Sequence, residues 1–388
     1  MGAMDKKTDI AIIGGGPVGL YLALRLIQSG ISCRVLEKKE AINQHSKSLG
    51  IHPVSLELFD EAGITGHFLT EGLKIKKGLA FWNRKQLGDI SFEDCPLPHN
   101  YILAIPQWKS EKILEQEVRR LDPDCIIRGA IVNKIQQDGK GVQLSYTQNN
   151  NLYSMFSPFA VGCDGKNSFV RQTTNIPFDG GRYPDTYVMG DFDDNTSLGP
   201  DAAVYLHQDG LIESFPLPNG QRRWVVKTDE YVSDPQPDTL RLMVDERLHH
   251  SLTNCQNTMM SGFGVQQFTA RKFHAGRILL AGDAAHVVSP IGGQGMNLGW
   301  IGAEKAYSVI KSSLNDPSRM TSLFESYTGS HKKIAKQAAR RAEMNMHLGR
   351  KESSTLFYKG LLQIVLNTPL KKILANLFTM RGLGRWPL

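Results

Sequence analysis

The stretch that most restricts this chain is Lys7-Thr-Asp-Ile-Ala-Ile-Ile13 followed by Gly14-Gly15-Gly16-Pro17-Val18-Gly19. A short apolar run of buried-strand type meets a G-x-G-x-x-G turn. Helical periodicity then continues through Leu20, Ala23, Leu24 and Ile27 until Gly30 stops it. A second strand, Cys33-Arg-Val-Leu-Glu37, ends in an acid 18 positions after Gly19. Each part has a physical task. Gly14 permits the tight turn, Gly16 lets backbone approach a pyrophosphate, and Gly19 lets helix and strand pack closely. Pro17 and Val18 open the helix, and Glu37 can accept hydrogen bonds from ribose hydroxyls. The strand–helix–strand unit therefore predicts a dinucleotide site. Because Glu37 repels a 2′-phosphate, the site suits the ADP half of FAD or NAD better than NADP.

Two more strand-to-helix junctions follow. Phe159-Ala-Val-Gly-Cys163-Asp164-Gly165 leads into a helix carrying Ser168 and Arg171 on one face. Taken alone it reads as a helix cap and a surface arginine. Residues 276–304 run from a buried strand to Gly282-Asp283, then through a Gly-rich loop (Pro290, Gly293, Gly295) into a helix that begins with Met296 and Asn297. Such a loop and helix start favour an anion. His286, close to Asp283, reads as structural, and His52 as a surface or packing residue.

Residues 177–268 have a different character, with alternating strand patterns, turn signals such as Pro218-Asn-Gly220, and one helical stretch over about 238–252. Tyr205, Phe215 and Trp224 are candidate walls of an apolar cavity there, although strand aromatics more commonly serve the core. A long helix is predicted over about 321–349. A last helix carries an apolar stripe (Leu370, Ile373, Leu374, Leu377, Phe378) opposed by Lys371 and Lys372. From residue 331 onward twelve lysines and arginines face two acids, a surplus that exceeds the whole-chain net charge of +7. The basicity thus belongs to the tail, which is read as packing on the body, with peripheral membrane contact as the alternative. No basic stripe interleaved with aromatics points to nucleic acid. Five scattered cysteines without Cys-x-x-Cys spacing point to neither a metal nor a disulfide framework, and to a cytoplasmic setting. Met1-Gly-Ala reads as added sequence ahead of a native start at Met4, with no signal peptide or spanning segment.

Together and in order, the three junctions resemble the single-component (class A) FAD-dependent aromatic monooxygenases with the p-hydroxybenzoate hydroxylase fold. The resemblance covers nearly the whole chain. It implies an α/β fold: a doubly wound FAD-binding domain (residues 4–75, 100–176 and 269–345), an inserted mostly-β substrate domain (76–99 and 177–268) and C-terminal helices (346–388). It assigns Gly14, Gly16, Pro17, Val18, Gly19, Glu37 and Lys38 to the ADP half of FAD, with Val132 near the adenine and Gln107 touching the cofactor. Asp283 is implied at the ribityl–pyrophosphate region, with Gly293, Gly295, Met296 and Asn297 beside the isoalloxazine. Asp164 is implied in FAD binding and, with Arg171, in nicotinamide handling. Pro290 is implied at the front of the ring, where it would also border substrate with Tyr205 and Phe215. Lys47 stands where the family usually has arginine, keeping the charge but losing the planar fork. The thioredoxin-like extension of the phenol-hydroxylase branch has no counterpart in these residues.

The implied chemistry is reduction of the flavin by NAD(P)H, reaction with O2 to a C4a-hydroperoxide, and hydroxylation of an aromatic or polycyclic small molecule. The cofactor carries the reaction, so no Ser/His/Asp set or metal is required. Two rivals share the motifs: a flavin reductase of the geranylgeranyl-reductase type, and a non-catalytic flavin-binding sensor.

Overall fold

A computed structural model of the 388-residue chain describes residues 8–44, 48–348, 350 and 356–383. Five strands run parallel in the order Ile278–Leu280, Phe159–Gly162, Ile10–Ile13, Cys33–Glu37 and Ile126–Arg128, with His274–Ala275 antiparallel at one edge. Ile10–Ile13, Phe159–Gly162 and Ile278–Leu280 are buried throughout, which is why they read as continuous apolar runs and not as alternating ones. Helix Pro17–Gln28 packs between Gln107–Leu121 and Gln294–Asn315, and the latter packs on Met320–Leu348. A three-stranded antiparallel sheet (Ile131–Gln137, Val142–Gln148, Asn151–Ser157) adds Ile135, Leu144, Tyr146 and Met155 to the same core.

The second sheet has eight strands, in the order His286–Val287, Asn257–Ala270, Phe178–Asp193, Gln221–Thr228, Ile212–Leu217, Ala202–Leu206, Lys77–Trp82 and Lys85–Ser91. Its last two strands come from the excursion between Ile75 and His99, paired through a parallel contact of Lys77–Trp82 with Ala202–Leu206. Side chains alternate between the two faces. Trp224 and Val226 join Ile212 beneath helix Pro237–Leu248, and Arg223 and Val225 point the other way. The two adjacent arginines are therefore buried on opposite faces, and each is satisfied. Arg222 donates to Asp194 at 3.0 Å, to Ser214 Oγ at 3.2 Å and to the Gly199 and Asp201 carbonyls; Arg223 forms a two-pronged pair with Asp191 at 2.6 and 2.8 Å. The helix expected to run to about 252 stops at Leu248, because His249 takes a left-handed conformation (φ 51°) and caps it through Asp245. The tail forms two helices, Leu356–Leu366 and Leu370–Phe378. In the second, Leu374, Leu377 and Phe378 turn inward to a cavity and Leu370 and Ile373 are exposed. No helix among the described residues is long and apolar enough to cross a membrane.

One polar cluster holds the two central helices in register. Glu304, on Gln294–Asn315, accepts from Arg25 Nε at 2.9 Å, from Arg25 Nη2 at 3.0 Å and from the Tyr21 hydroxyl at 2.7 Å, both donors lying on Pro17–Gln28. Arg25 and Glu304 are mostly shielded from water, so losing the carboxylate removes the shortest acceptor of both donors, leaving Tyr21 the Leu58 carbonyl at 3.4 Å and Arg25 the Glu61 carbonyl at 3.3 Å. Glu304→Ala is expected to lower unfolding free energy by about 2 kcal/mol, measured by urea denaturation, with Glu304→Gln recovering part of it.

Candidate active site

The carboxyl ends of three parallel strands meet at glycine. Gly14 (φ 106°) lies so close to the next strand that a Cβ there would collide with the Cys163 carbonyl, and a Cβ on Gly19 would strike the Gly14 carbonyl oxygen. Gly16 differs: a Cβ there would meet nothing within 4 Å. Its surroundings open into a cavity of about 1340 Å³ that it lines together with Gly14, Pro17 and Val18. Helix Pro17–Gln28 starts at Gly16 with no side-chain cap and no acid in its first turn. Its first N–H groups and positive dipole end are therefore left for an anion.

Glu37 stands beside this helix start, buried, accepting from the Gly15 N–H at 2.6 Å and the Lys39 N–H at 2.8 Å. Each oxygen accepts one backbone N–H, which leaves further lone pairs able to accept from a ligand. Lys38, Val132 and Gln107 line the same end of the cavity, and Gln107 donates to Glu111 at 2.7 Å. Glu111 also lines it, held above the ordinary carboxylate range by burial, and was not singled out from sequence.

Asp164 lies in the cavity wall with one oxygen accepting from the Val170 N–H at 3.1 Å; its other oxygen is buried and has no partner among the described residues. Arg171 is held differently from what the sequence suggests. Its guanidinium donates to the Ala284 carbonyl at 2.9 Å and the Lys166 carbonyl at 2.8 Å, and sits 3.7 Å from the Phe178 ring centroid. It is buried and not a surface residue, and it clamps the Asp164 loop to the Asp283 turn instead of lining the cavity.

At the far end, Asp283 projects into the open cleft. Protein encloses it on its other sides, which pushes its carboxyl up to about 6 against the opposing pull of Lys166. Pro290, Gly293, Gly295 and Met296 line the cavity at a second uncapped helix start, that of Gln294–Asn315 after Gly293 (φ 66°), again with no acid in the first turn. Asn297 does not face the cavity. Its amide donates to the Gly50 and Gly293 carbonyls, both at 2.9 Å, and its carbonyl oxygen accepts from the His52 N–H at 2.8 Å. His52 is buried, with Nε2 at 3.1 Å from the Gly292 carbonyl, and burial pushes its pKa down to about 4. The neutral ring is thus a donor that shapes the loop. A His–loop contact 240 residues apart left no local trace in the sequence. His286 is buried as part of the framework, 2.8 Å from the His331 ring. Lys47 lies outside the described residues.

On the second sheet, Phe215 lines the cavity. Tyr205 does not: it stacks on Phe81 at 4.6 Å and packs with Trp224 under helix Pro237–Leu248, on the opposite face. Strand alternation sends its neighbours Val204 and Leu206 to the cavity instead.

Two uncapped helix starts, an open Gly16, a ribose-type acid and an orphaned carboxylate oxygen lie along one cavity, and they fit an extended dinucleotide with a second group at its far end. Residues 7–342 match the family model described as an FAD binding domain. The chain belongs to the FAD-binding-domain family. An uncharacterized aromatic compound monooxygenase (YhjG) of Bacillus subtilis is 35% identical over 308 residues, covering 76% of this chain and 60% of the relative. A 12-dehydrotetracycline 5-monooxygenase/anhydrotetracycline 6-monooxygenase of Streptomyces rimosus is 30% identical over 313 residues, covering 76% and 60%. The chain thus spans about 60% of the length of these relatives. Among solved structures, the OxyS anhydrotetracycline hydroxylase of Streptomyces rimosus superposes with a TM-score of 0.81 at 28% identity, covering 96% of this chain and 76% of that one. The p-nitrophenol 4-monooxygenase PnpA of Pseudomonas putida shares the fold end to end, with a TM-score of 0.86 at 19% identity and 99% and 100% coverage. The fold is that of the class A flavin monooxygenases, as the sequence resemblance implied.

Three substitutions test the FAD site. Gly19→Ala should destabilise the fold by about 1–3 kcal/mol, seen as a lowered thermal midpoint, because its Cβ meets backbone. Gly16→Ala should leave that midpoint unchanged in apoprotein and weaken FAD retention on gel filtration. Asp283 titrates with the opposite sign to a salt-bridged acid. Its raised pKa means that apoprotein stability falls as pH rises from the ordinary carboxylate range through about 6. Apo Asp283→Asn should therefore melt above wild type at about pH 7.5 and level with it below about pH 4.

Proposed function

We propose that this chain is the catalytic body of a flavin-dependent monooxygenase that uses NAD(P)H and O2 to hydroxylate an aromatic or polycyclic small molecule. The observation that carries the reading is the continuity of the cavity. It runs from the Gly16 helix start and Glu37 to Pro290, and on to an apolar wall built by the second sheet and the tail helices. Its volume of about 1340 Å³ exceeds what a single small ligand usually needs, roughly 300–1,000 Å³, which leaves room for cofactor and substrate together. The relatives compared above are monooxygenases by name, which favours oxygenation over the reductase and sensor readings.

When bound, FAD supplies the redox chemistry, placing one atom of O2 on the substrate and the other in water at the expense of NAD(P)H. The chain's own residues bind, orient and exclude water. Helix Pro17–Gln28 directs N–H groups to the pyrophosphate, and Glu37 holds ribose hydroxyls. Asp283 accepts from the ribityl–pyrophosphate region. The uncapped helix start after Gly293 would turn its positive dipole end toward the flavin ring and favour negative charge there, an effect of about 1 kcal/mol and more where buried. Val288, Ile291, Leu362 and Phe378 keep water from the region around Pro290.

Purified protein should be yellow, release FAD on denaturation, and consume NADH or NADPH with O2 faster when a polycyclic phenol such as anhydrotetracycline or 2-naphthol is added. Colourless protein that does not take up FAD sinks the reading. Flavin-loaded protein with no substrate-stimulated oxygen uptake across a broad aromatic panel would favour a reductase or sensor.

A further inference from the structure

The apolar wall of the cavity contains one carboxylate that the cofactor scheme leaves without a task. Glu213, in the middle of strand Ile212–Leu217, lines the cavity and is 8% exposed. Its cross-strand partners are Val204 on one side and Val225 on the other, and Met189 continues the row beyond Val225. Phe215 follows on the same face. Among the described residues nothing donates a hydrogen bond to its carboxylate, and burial alone pushes it up to about 7.

The charges nearby do not neutralise it. Arg223, on the adjacent strand, is committed to Asp191, and Lys227 and Arg350 pair with Asp185. Tyr187, on the next strand, is itself buried; burial, and after it the charge of Glu213, raise its pKa, and its hydroxyl has no partner among the described residues. A buried acid without a donor costs stability, and none of the described residues compensates for it. Position matters as well. Met189 and Val225 pack in the same cluster as Ile291, which belongs to the loop after Pro290. Glu213 therefore borders the cluster to which the loop after Pro290 contributes Ile291.

We propose that Glu213 is the polar anchor of the substrate site, accepting a hydrogen bond from a hydroxyl or amine on an otherwise apolar ring system and rejecting ring systems that present a carboxylate. This rests on the preceding reading of the cavity as shared by FAD and a polycyclic substrate. The asymmetry of the wall sets the selectivity. A donor satisfies the acid, a plain hydrocarbon leaves it unpaired, and an anion adds a second negative charge in an apolar enclosure.

The test uses FAD-loaded full chain and three probes of one shape: 2-naphthol, naphthalene and 2-naphthoate. Binding is followed by perturbation of the flavin absorption spectrum, which requires no turnover. Wild type is expected to bind 2-naphthol at least about tenfold more tightly than naphthalene, with 2-naphthoate weakest. Glu213→Leu should bring naphthol and naphthalene to within about twofold and relieve the exclusion of naphthoate, while Glu213→Gln, which keeps an acceptor, retains preference for naphthol. Thermal melting of the same variants reads folding separately. Glu213→Leu should melt above wild type at pH values above about 7, because the ionised acid is then no longer buried. Equal binding of naphthol and naphthalene by wild type, no binding of any probe, or discrimination unchanged in Glu213→Leu overturns the proposal. Protein that fails to hold FAD overturns the underlying reading instead, and the flavin spectrum separates the two failures.

Discussion

The geometry of this protein depends on backbone meeting backbone where the parallel strands end. Gly14 and Cys163 on neighbouring strands, and Gly14 and Gly19 across the first turn, approach more closely than any side chain permits. Val18 presses into the gap left by Gly282 and Gly299, and the Trp300 indole donates to the Pro17 carbonyl at 3.0 Å. These contacts lock the two helices that begin at Gly16 and Gly293 against one another. Their uncapped ends then line a single cavity. A Cβ at the crossing would separate the helix starts, and the cofactor would no longer span both.

The remaining polar groups stabilise that arrangement more than they act in chemistry. Arg171 joins the Asp164 loop to the Asp283 turn through carbonyls. Asn297 joins Gly50 and His52 to Gly293, and His52 reaches on to Gly292. These hydrogen bonds tie the loop after Pro290 to its surroundings at the point where a reactive ring would rest. Among the described residues, the acids of the cavity wall that lack such partners are Asp164 on one oxygen and Asp283 and Glu213 on both. In the proposed reading, ligand atoms complete the hydrogen bonding of these acids, with Asp164 and Asp283 serving the cofactor and Glu213 the substrate.

Much of the cofactor half was legible in the chain because its signals are local. G-x-G-x-x-G between a strand and a helix, and Glu37 at the end of the next strand, are short-range patterns whose physics does not depend on distant partners. The substrate half was not legible in the same way. Strands Ala202–Leu206 and Ile212–Leu217 carry apolar residues on both faces, because one face packs beneath helix Pro237–Leu248 and the other lines the cavity. The alternation is visible, but its phase relative to the cavity is not. For that reason Tyr205, a candidate cavity wall by its sequence, falls on the opposite face, and Glu213 on the adjoining strand has no local signal that marks it. His52 and Arg171, read as packing and surface residues, gain their positions from partners 240 and 113 residues away.

The sequence by itself determined where the strand-to-helix glycine turns fall, the acid that ends the second strand, and the uncapped helix starts that open on the cavity. Each depends on backbone conformation and spacing within a few dozen residues. Only the tertiary structure decided that Asn297 and Arg171 serve as clamps and that Tyr205 belongs to a core. It also decided that Glu213 stands alone in an apolar wall. Those roles depend on which face of a strand meets a cavity, and the face is set by packing against elements far away in the chain.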